Sequence, residues 1–388
     1  MTESTLSAGP SSPFYTEDHE AFREVVRQFS EKEIAPHVHQ WDLDGLVPRE
    51  LYNKAGAIGF FGDGFDEEYG GHGQRDALMR LVLMQEVSRA GSGGVVAALL
   101  SNYIGLPPVQ KFGSDALKAR VLTPCMAGDA IAALAITEPS GGSDVARIRT
   151  TARRDGDHFV VNGSKTFITS GMRADFFTTA VRTGGEGAAG LSMLVIDGDS
   201  PGLDRTKLDK MGWLASDTAT LYFDDLRVPV ENLLGEEGAG FSMIVNNFNA
   251  ERIDLAAQSI AFARVCYDEA LGWARERETF GRRLADHQVI RHKLVEMDRR
   301  INACQAWLEL LAWRLNAGDD PVAEICEAKV DATLTFEFCA REAAQILGGA
   351  SYLRGDTVER LYREVRVQAI GGGSEEIMRD LAGRQLGL

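Results

Sequence analysis

The sequence has few basic residues for its length. Its 388 residues include 41 lysines and arginines against 57 aspartates and glutamates, a formal net charge of −16. Proteins that bind nucleic acids or anionic membranes generally need excess positive charge to replace the counterions of phosphate groups. The charge balance therefore argues against both functions, and a phosphorylated ligand has to meet a local basic patch.

Cysteines are also scarce, and their spacing is uninformative. The five are Cys125, Cys266, Cys304, Cys326 and Cys339. They form no CxxC pair, and no histidine stands near them at metal-ligand spacing. We therefore predict reduced thiols, no metal site and a cytoplasmic protein.

Long apolar runs are absent from the sequence. None approaches the roughly 20 residues that a membrane-spanning helix needs, so we expect no membrane insertion. Residues 1–14 are polar and contain neither the apolar segment of a signal peptide nor an Arg-rich amphipathic pattern. We predict a disordered tail over 1–14.

The residue pattern changes twice along the chain, which predicts an α+β multidomain protein. Residues 15–128 alternate helix-like stretches with glycine-rich breaks and predict an N-terminal all-α domain. Residues 129–238 contain short strand-like runs and predict a middle antiparallel β-domain, in which Asp155-Gly156 and Asn162-Gly163 each predict a hairpin. Residues 239–388 are again helical and predict a C-terminal four-helix bundle.

One apolar stripe carries the C-terminal prediction. Its members follow one another at alternating spacings of four and three residues, the period of a long packed helix. Packing is the usual role of such a stripe, so we assign it to the core. The stripe consists of Ile290, Leu294, Met297, Ile301, Cys304, Leu308, Leu311 and Leu315.

A glycine pattern at Gly185, Gly187 and Gly190 has the GxGxxG spacing but the wrong context for a dinucleotide site. It leads into a strand-like run, whereas a phosphate loop must open a helix whose N–H groups hold the pyrophosphate. We interpret it as a surface loop.

Residues 135–144 and 162–169 are more informative. They combine a strand, a loop of glycines and hydroxyl residues, and a run that ends in Phe167, Ile168 and Thr169. Glycines let a backbone approach a flat ring closely, and hydroxyls can bond its polar edge. Composition alone fits a tight turn equally well.

The segment from Thr137-Glu138 to Gly142-Ser143-Asp144 resembles the middle-domain signature of the acyl-CoA dehydrogenase family. Further blocks at family spacing extend the resemblance over nearly the whole chain from about residue 15. They lie at 65–73, 210–218, 223–229, 277–281, 345–349 and 371–379. The resemblance implies FAD as cofactor, an acyl-CoA substrate and a likeness to fatty acid β-oxidation enzymes. It also implies a homotetramer that passes electrons to an electron-transferring flavoprotein.

Site residues follow from the same resemblance, position by position. The flavin ring is expected to contact Leu134, Ile136, Thr137, Gly142, Ser143, Phe167, Ile168 and Thr169. The remainder of FAD, shared with a neighbouring subunit, is expected to contact Arg277, Phe280, Gln288, Gln345, Gly348, Gly349, Ser374 and Glu376. Arg277 suits this role because a guanidinium bridges phosphate oxygens.

The reaction that the resemblance implies takes the α-proton of an acyl thioester and passes the β-hydrogen to the flavin as hydride, giving a trans-2-enoyl-CoA. An α-proton is a weak acid, so a carboxylate base is required. The late loop that usually carries this base has Gly372 at the glutamate position. Long-chain and isovaleryl-type members place a glutamate before an arginine on an earlier helix, where this chain has Glu251-Arg252. A solvated helix face is the alternative reading of that pair.

Substrate contacts are expected from Ser143, Asn249, Arg252, Gly372 and Gly373, and the acyl pocket from Val96, Ala97, Leu100 and Ile104. The four pocket residues are apolar, which fits a medium-to-long or branched acyl group. Three alternatives remain: a flavin monooxygenase, an acyl-CoA oxidase, and a catalytically silent acyl-CoA-binding protein.

Overall fold

The computed structural model describes residues 12–388, apart from the side chains of Asn246, Asn249 and Ala250. An N-terminal helical domain comes first. Asp76 and Ser92 begin two of its central helices by accepting hydrogen bonds from first-turn N–H groups. The helices are α1 (Glu17–Phe29), α2 (Val38–Asp44), α3 (Glu50–Ala57), α4 (Ala77–Ser88), α5 (Gly93–Gly105), α6 (Pro107–Phe112) and α7 (Asp115–Ala127).

A sheet of eight strands forms the middle domain. The strands are β1 (Ala132–Ala135), β2 (Thr151–Asp155), β3 (His158–Thr169), β4 (Phe176–Arg182), β5 (Leu191–Asp197), β6 (Leu203–Lys207), β7 (Thr218–Pro229) and β8 (Leu233–Leu234). Their spatial order is β6, β7, β3, β2, β4, β5 and β8, and β1 pairs with β4. Most neighbours are antiparallel, whereas β1 and β2 run parallel to β4.

One predicted hairpin is confirmed and the other is wrong. Asp155 pairs with His158 across a tight turn, as the Asp-Gly pair predicts. At Asn162-Gly163 the chain does not turn, because β3 continues through it with a shift of register against β7. Gly163 has φ 143° and lies so near Thr150 that a Cβ there would be 2.7 Å from the Thr150 Cα. Gly163 therefore lies in a β-bulge, where the absence of a side chain allows the close approach to Thr150.

The C-terminal domain is a bundle of long helices. Its elements are α8 (Gly240–Glu276), β9 (Glu278–Thr279), β10 (Arg282–Arg283), α9 (Gln288–Asn316), α10 (Val322–Leu347), α11 (Thr357–Gln368) and α12 (Glu375–Gln385). The predicted apolar stripe lies on α9, and its members from Leu294 to Leu311 are buried, so the helix prediction is confirmed.

Glu364 on α11 ties the three domains together. Its carboxylate accepts hydrogen bonds from Gly93 N, 2.7 Å away at the start of α5, and from Trp213 N, 3.2 Å away in the middle domain. Burial raises the pKa of Glu364 to about 7. Because this carboxyl accepts a hydrogen bond from the first turn of α5, it helps to fix α5 against the C-terminal helices.

The start of the described chain differs from the sequence prediction. Residues 1–11 of the predicted tail lie outside the described residues. Ser12 donates a hydrogen bond to Glu309, and the Phe14 ring lies 6.2 Å from that of Trp313. Residues 12–14 therefore pack on α9, because an aromatic ring there finds an apolar partner. Within residues 12–388, no helix combines the length and apolar character needed to cross a membrane.

Candidate active site

A buried ion pair organises the loop that follows β1. The Lys165 side chain is fully buried, and its Nζ donates to Glu138 Oε1 at 2.9 Å and to Ile136 O at 3.0 Å. Burial lowers the pKa of Lys165 to about 8. Burial opposes ionisation of Glu138 too, but the Lys165 charge and the Arg149 and Thr150 N–H donors outweigh it and lower its pKa. The pair fixes the loop against β3.

Phe167, near the end of β3, has an unusual backbone conformation and an exposed side chain. Its φ is 59°, a region that non-glycine residues rarely adopt, and its side chain is 70% exposed. The register of β3 against β7 shifts between Lys165 and Ile168, so the bulge turns Phe167 outward while Ile168 stays buried. An exposed aromatic ring in strained backbone indicates a functional surface.

The loop glycines complete this surface. A Cβ at Gly142 would lie 3.2 Å from Thr137 Cγ2, and Thr166 N donates to Thr137 O at 2.8 Å. Ile136 is buried, Leu134 and Thr169 are half-buried, and Gly142 and Ser143 are exposed. The structure thus brings an aromatic ring, hydroxyl groups and closely approaching backbone together beside the second half of β3, which fits a flavin ring.

The residues expected at the remainder of FAD lie in two exposed groups. Arg277 ends α8, Phe280 is the 97% exposed tip of the β9–β10 hairpin, and Gln288 begins α9. The second group, Gln345, Gly348 and Gly349, surrounds the end of α10. No hydrogen bond or ring contact among residues 12–388 joins the two groups. Exposure in a single chain is compatible with a ligand shared between subunits.

Ser374 and Glu376 lie at the start of α12. The Ser374 hydroxyl caps the helix by accepting from Ile377 N, and Glu376 is exposed in the first turn. Its own backbone N–H and the Ser374 hydroxyl lower the pKa of Glu376.

Glu251 lies on α8 and lines a cavity of about 160 Å³ between α8 and the N-terminal domain. Burial raises the pKa of Glu251 to about 7, and the neighbouring Asp254 charge adds to the rise, while Arg252 and Lys329 oppose it. A Cβ at Gly372 would lie 3.7 Å from the Glu251 carboxyl carbon and from its Oε1. Glu251 and position 372 therefore face the same space.

The glycine loop beside Glu251 is held from two helices. Arg252 Nε donates to Gly372 O at 3.4 Å, and Lys329 Nζ on α10 donates to Gly373 O at 2.7 Å. Gly372 and Gly373 have φ of 63° and 106°, so left-handed backbone explains the glycines. Within the described chain, the Gly372 N–H has no hydrogen-bond acceptor. Sequence reasoning missed Lys329, which stands inside a long helix.

All four predicted acyl-pocket residues lie on α5, but only one of them reaches the cavity. Ile104 lines the cavity, whereas Val96, Ala97 and Leu100 are buried in packing. Asn249 belongs to α8, and its side chain is outside the described part of the structure. Sequence reasoning missed the other polar residues that line the cavity, which are Asp63, Arg75, Arg80, Tyr103, Lys111, Asn247 and Asp254.

Two sequence signals could have revealed part of this lining. Asp254 stands three residues after Glu251, which places both carboxyls on one helix face. Arg80 interrupts the otherwise apolar run of α4. A charge in the middle of a buried helix needs a partner, and here the partner is Asp254, 3.0 Å away.

Comparison with known proteins places all three domains in one family. The N-terminal, middle and C-terminal domain models of acyl-CoA dehydrogenases match residues 16–129, 133–226 and 238–387. Acyl-CoA dehydrogenase AFT10-1 of Alternaria alternata is 37% identical, over 96% of this chain and 92% of its own.

Solved structures agree with these matches. The structure of a probable acyl-CoA dehydrogenase from Mycobacterium abscessus superposes with a TM-score of 0.94 at 47% identity, over 96% of this chain and 100% of the other. A chain in the structure of the electron transferring flavoprotein of Acidaminococcus fermentans has a TM-score of 0.92 at 33% identity, over 96% and 98%.

Replacing Phe167 by alanine tests the flavin surface without disturbing the fold. The exposed ring contributes little to folding, but aromatic stacking is worth about 0.5–1.5 kcal/mol. We expect Phe167→Ala to raise the Kd for FAD roughly 3- to 10-fold, measured by fluorescence titration of the apoprotein, with an unchanged thermal unfolding midpoint. Tyr222→Ala, another half-exposed aromatic of the same sheet, is the control. An unchanged Kd in Phe167→Ala would exclude the ring from the FAD site.

Proposed function

Because the chain belongs to the acyl-CoA dehydrogenase family, we propose that Glu251 abstracts the α-proton of an acyl-CoA and that the product is a trans-2-enoyl-CoA. The family membership itself makes the chain an FAD-dependent oxidoreductase that acts on CH–CH groups of acyl-CoA. The observation that carries the finer proposal is the approach of position 372 to the Glu251 carboxyl.

Glu251 has the properties that a general base requires. Its pKa of about 7 lies near neutral pH, where a base combines a usable ionised fraction with good affinity for the proton. It lines the cavity, so a bound acyl group can reach it. The late-loop glutamate usual in the family would point into the space that Glu251 occupies here, so one carboxylate replaces the other.

The Gly372 N–H is proposed to donate to the thioester carbonyl oxygen. A donor at that oxygen stabilises the negative charge that develops when the α-proton leaves. Arg252 and Lys329 hold the loop through the Gly372 and Gly373 carbonyl oxygens, so they position the donor. FAD, when bound against the Phe167 surface, supplies the hydride acceptor for the β-hydrogen.

Four broader properties belong to the proposal. We infer a homotetramer, a cytoplasmic location, a role in fatty acid β-oxidation and an electron-transferring flavoprotein as acceptor. The exposed Phe280 hairpin and the exposed end of α10 support subunit contacts. The likeness to a chain in the Acidaminococcus fermentans structure supports the electron acceptor.

Replacing Glu251 by glutamine tests the base. The amide keeps the shape of the side chain but cannot accept the proton, so we expect flavin reduction by acyl-CoA to slow by at least ~100- to 10,000-fold. Binding of FAD and of acyl-CoA should change little. The measurement is rapid-mixing absorbance of the flavin under anaerobic conditions, with Glu327→Gln, an exposed glutamate of α10, as control.

A second substitution sharpens this test. In the Glu251→Gln background, Gly372→Glu should restore part of the rate because both positions face the same space. Rescue is expected to be partial, since φ is 63° and the new Cβ would lie 2.6 Å from Leu255 Cδ1. A Glu251→Gln variant that reduces its flavin at the parental rate would place the base elsewhere.

The pH profile provides an independent prediction. With the pKa of Glu251 raised to about 7, the group is protonated and inactive below that pH, so kcat/KM should rise as pH increases from about 6 to 8. Asp254 contributes to the rise of this pKa, so Asp254→Asn should move the midpoint to lower pH. Comparing the two proteins cancels ionisation of the substrate phosphates. A midpoint that is the same in Asp254→Asn as in the parental protein would contradict the assignment of Glu251 as the base.

Arg277→Ala tests the shared FAD site. The residue is exposed at the end of α8, so its loss should not destabilise the single chain. We expect flavin content and the tetramer fraction, measured by absorbance and size-exclusion chromatography with light scattering, to fall together. Arg275→Ala, an exposed arginine two residues earlier, should retain both. A full tetramer with full flavin content in Arg277→Ala would refute the cross-subunit role.

A further inference from the structure

Two basic residues of the N-terminal domain differ from all the others in having no carboxylate partner. Within residues 12–388, neither Arg75 nor Lys111 forms an ion pair. Both line the cavity that Glu251 lines. The other lysines and arginines between residues 12 and 128, each with a carboxylate oxygen within 3.8 Å, are Arg23, Arg27, Lys32, Arg49, Lys54, Arg80, Arg89, Lys118 and Arg120.

These two cations are accessible to a ligand. Both side chains are exposed, whereas Arg80 on the same lining is 5% exposed. The Arg75 stem lies against the backbone of Gly64, another lining residue, since a Cβ there would be 3.4 Å from the Arg75 Cβ. Lys111 Nζ lies 5.4 Å from the centre of the Phe112 ring, which also lines the cavity. Both cations therefore stand where the cavity opens to solvent, each in contact with its lining.

The cavity extends along α8 from Glu251 toward the start of the helix. Met243, a second lining residue of α8, is eight residues before Glu251, or about 12 Å along the helix axis. Met243 and Phe112 lie together, because a Cβ at Gly235 would be 2.8 Å from Met243 Cε and 3.8 Å from Phe112 Cβ. Lys111 directly precedes Phe112, so it stands at the end of the cavity that is far from Glu251.

The proposed base and donor determine which part of the substrate enters this cavity. The thioester carbonyl is proposed at the Gly372 N–H and the α-carbon at Glu251. Among the described residues, Glu251 lines the cavity and Gly372 does not. The chain beyond the α-carbon therefore enters the cavity past Glu251, and its last atoms reach the open end. The CoA moiety, with its phosphates, stays on the Gly372 side.

The carboxyls of the lining do not neutralise both cations. Asp254 is already matched by Arg80 at 3.0 Å. Burial raises the pKa of Glu251 to about 7, and burial also raises the pKa of Asp63, which the Arg75 charge only partly offsets. Both carboxyls are therefore less ionised than exposed ones at the same pH. The excess of positive charge at the open end favours an anionic group on the ligand over a neutral one.

We propose that the acyl group of the substrate ends in a carboxylate, which Arg75 and Lys111 bind at the open end of the cavity. This inference rests on the proposed function, because it places the acyl chain in the cavity that Glu251 lines. The two cations then determine specificity and take no part in proton transfer. The methylene chain between the two ends contacts the apolar residues of the lining, which are Phe65, Ile104, Pro107, Pro108, Phe112 and Met243.

The test compares acyl-CoA probes that differ only at the far end of the chain. CoA thioesters with a terminal carboxylate or a terminal carboxamide are given to the holoenzyme at six, eight, ten and twelve carbons. Two partly exposed ion pairs should favour the carboxylate roughly 3- to 30-fold in kcat/KM for flavin reduction at the best length. Added salt should reduce this advantage because it screens exposed charges. A carboxylate that is no better than the amide at every length overturns the inference.

Substitutions of the two cations test their role directly. Arg75→Gln and Lys111→Gln are made singly and together. The ratio of kcat/KM for the carboxylate to that for the amide should fall in each single variant and reach one or less in the double variant. Lys32→Gln with Lys54→Gln is the matched control, because it changes the net charge of the same domain equally at residues that do not line the cavity. This control should keep the parental ratio.

The outcomes separate this inference from the proposed function. A parental ratio in the folded double variant contradicts the inference, even if kcat/KM falls for both probes, because the cations would then meet a part of the substrate that the probes share, such as a CoA phosphate. The single variants decide the question if the double variant does not fold. If no acyl-CoA reduces the parental flavin, the proposed function fails and this inference fails with it. If plain alkanoyl-CoA reduces the flavin and the carboxylate brings no gain, only this inference fails.

Discussion

The carboxyl of Glu251 lies on α8 where little water reaches it, and the arrangement of the site follows from keeping it there. Glu251 is kept at a raised pKa by burial and by Asp254, and Arg252 and Lys329 partly offset both effects. A buried charge is tolerated only when its neighbours are balanced in turn. Arg80 balances Asp254, so a residue of α4 in the N-terminal domain contributes indirectly to the charge environment of the proposed base on α8.

The same cations connect the base to the loop that faces it. Lys329 and Arg252 hold the Gly373 and Gly372 carbonyls, so the charges that moderate the Glu251 pKa also place the proposed N–H donor. The Lys165–Glu138 pair fixes the strand and loop that present Phe167. The proposed base, the proposed N–H donor and the proposed flavin surface are thus positioned by separate contacts of charged side chains.

The sequence predicts the fold better than it predicts the cavity. The stripe from Leu294 to Leu311 marks α9 because helical period is a local property, and Asp155-Gly156 marks a turn for the same reason. The turn predicted at Asn162-Gly163 is wrong because this glycine allows a close approach to Thr150. In the sequence, such a glycine looks the same as one that a turn requires. Local pattern cannot separate these two uses.

The sequence proposes site residues only where a motif surrounds them. The signature at Thr137 and the Glu251-Arg252 pair carry the family resemblance, whereas Arg80 and Lys329 act through partners far away in sequence. Arg80 and Asp254 are 174 positions apart, and no periodicity links them. Pairing across domains depends on tertiary packing, so the polar wall of the cavity becomes visible only in three dimensions.

We propose that this protein oxidises an acyl-CoA at its α,β-bond and transfers the electrons to its flavin. The most direct measurement is an anaerobic titration of the purified holoenzyme with acyl-CoA, in which flavin absorbance is followed and the product is identified by mass spectrometry. We expect the visible flavin band to bleach as a product lacking two hydrogens, a 2-enoyl-CoA, accumulates in proportion. If the flavin stays oxidised with saturating bound acyl-CoA of every chain length, the proposed reaction is wrong.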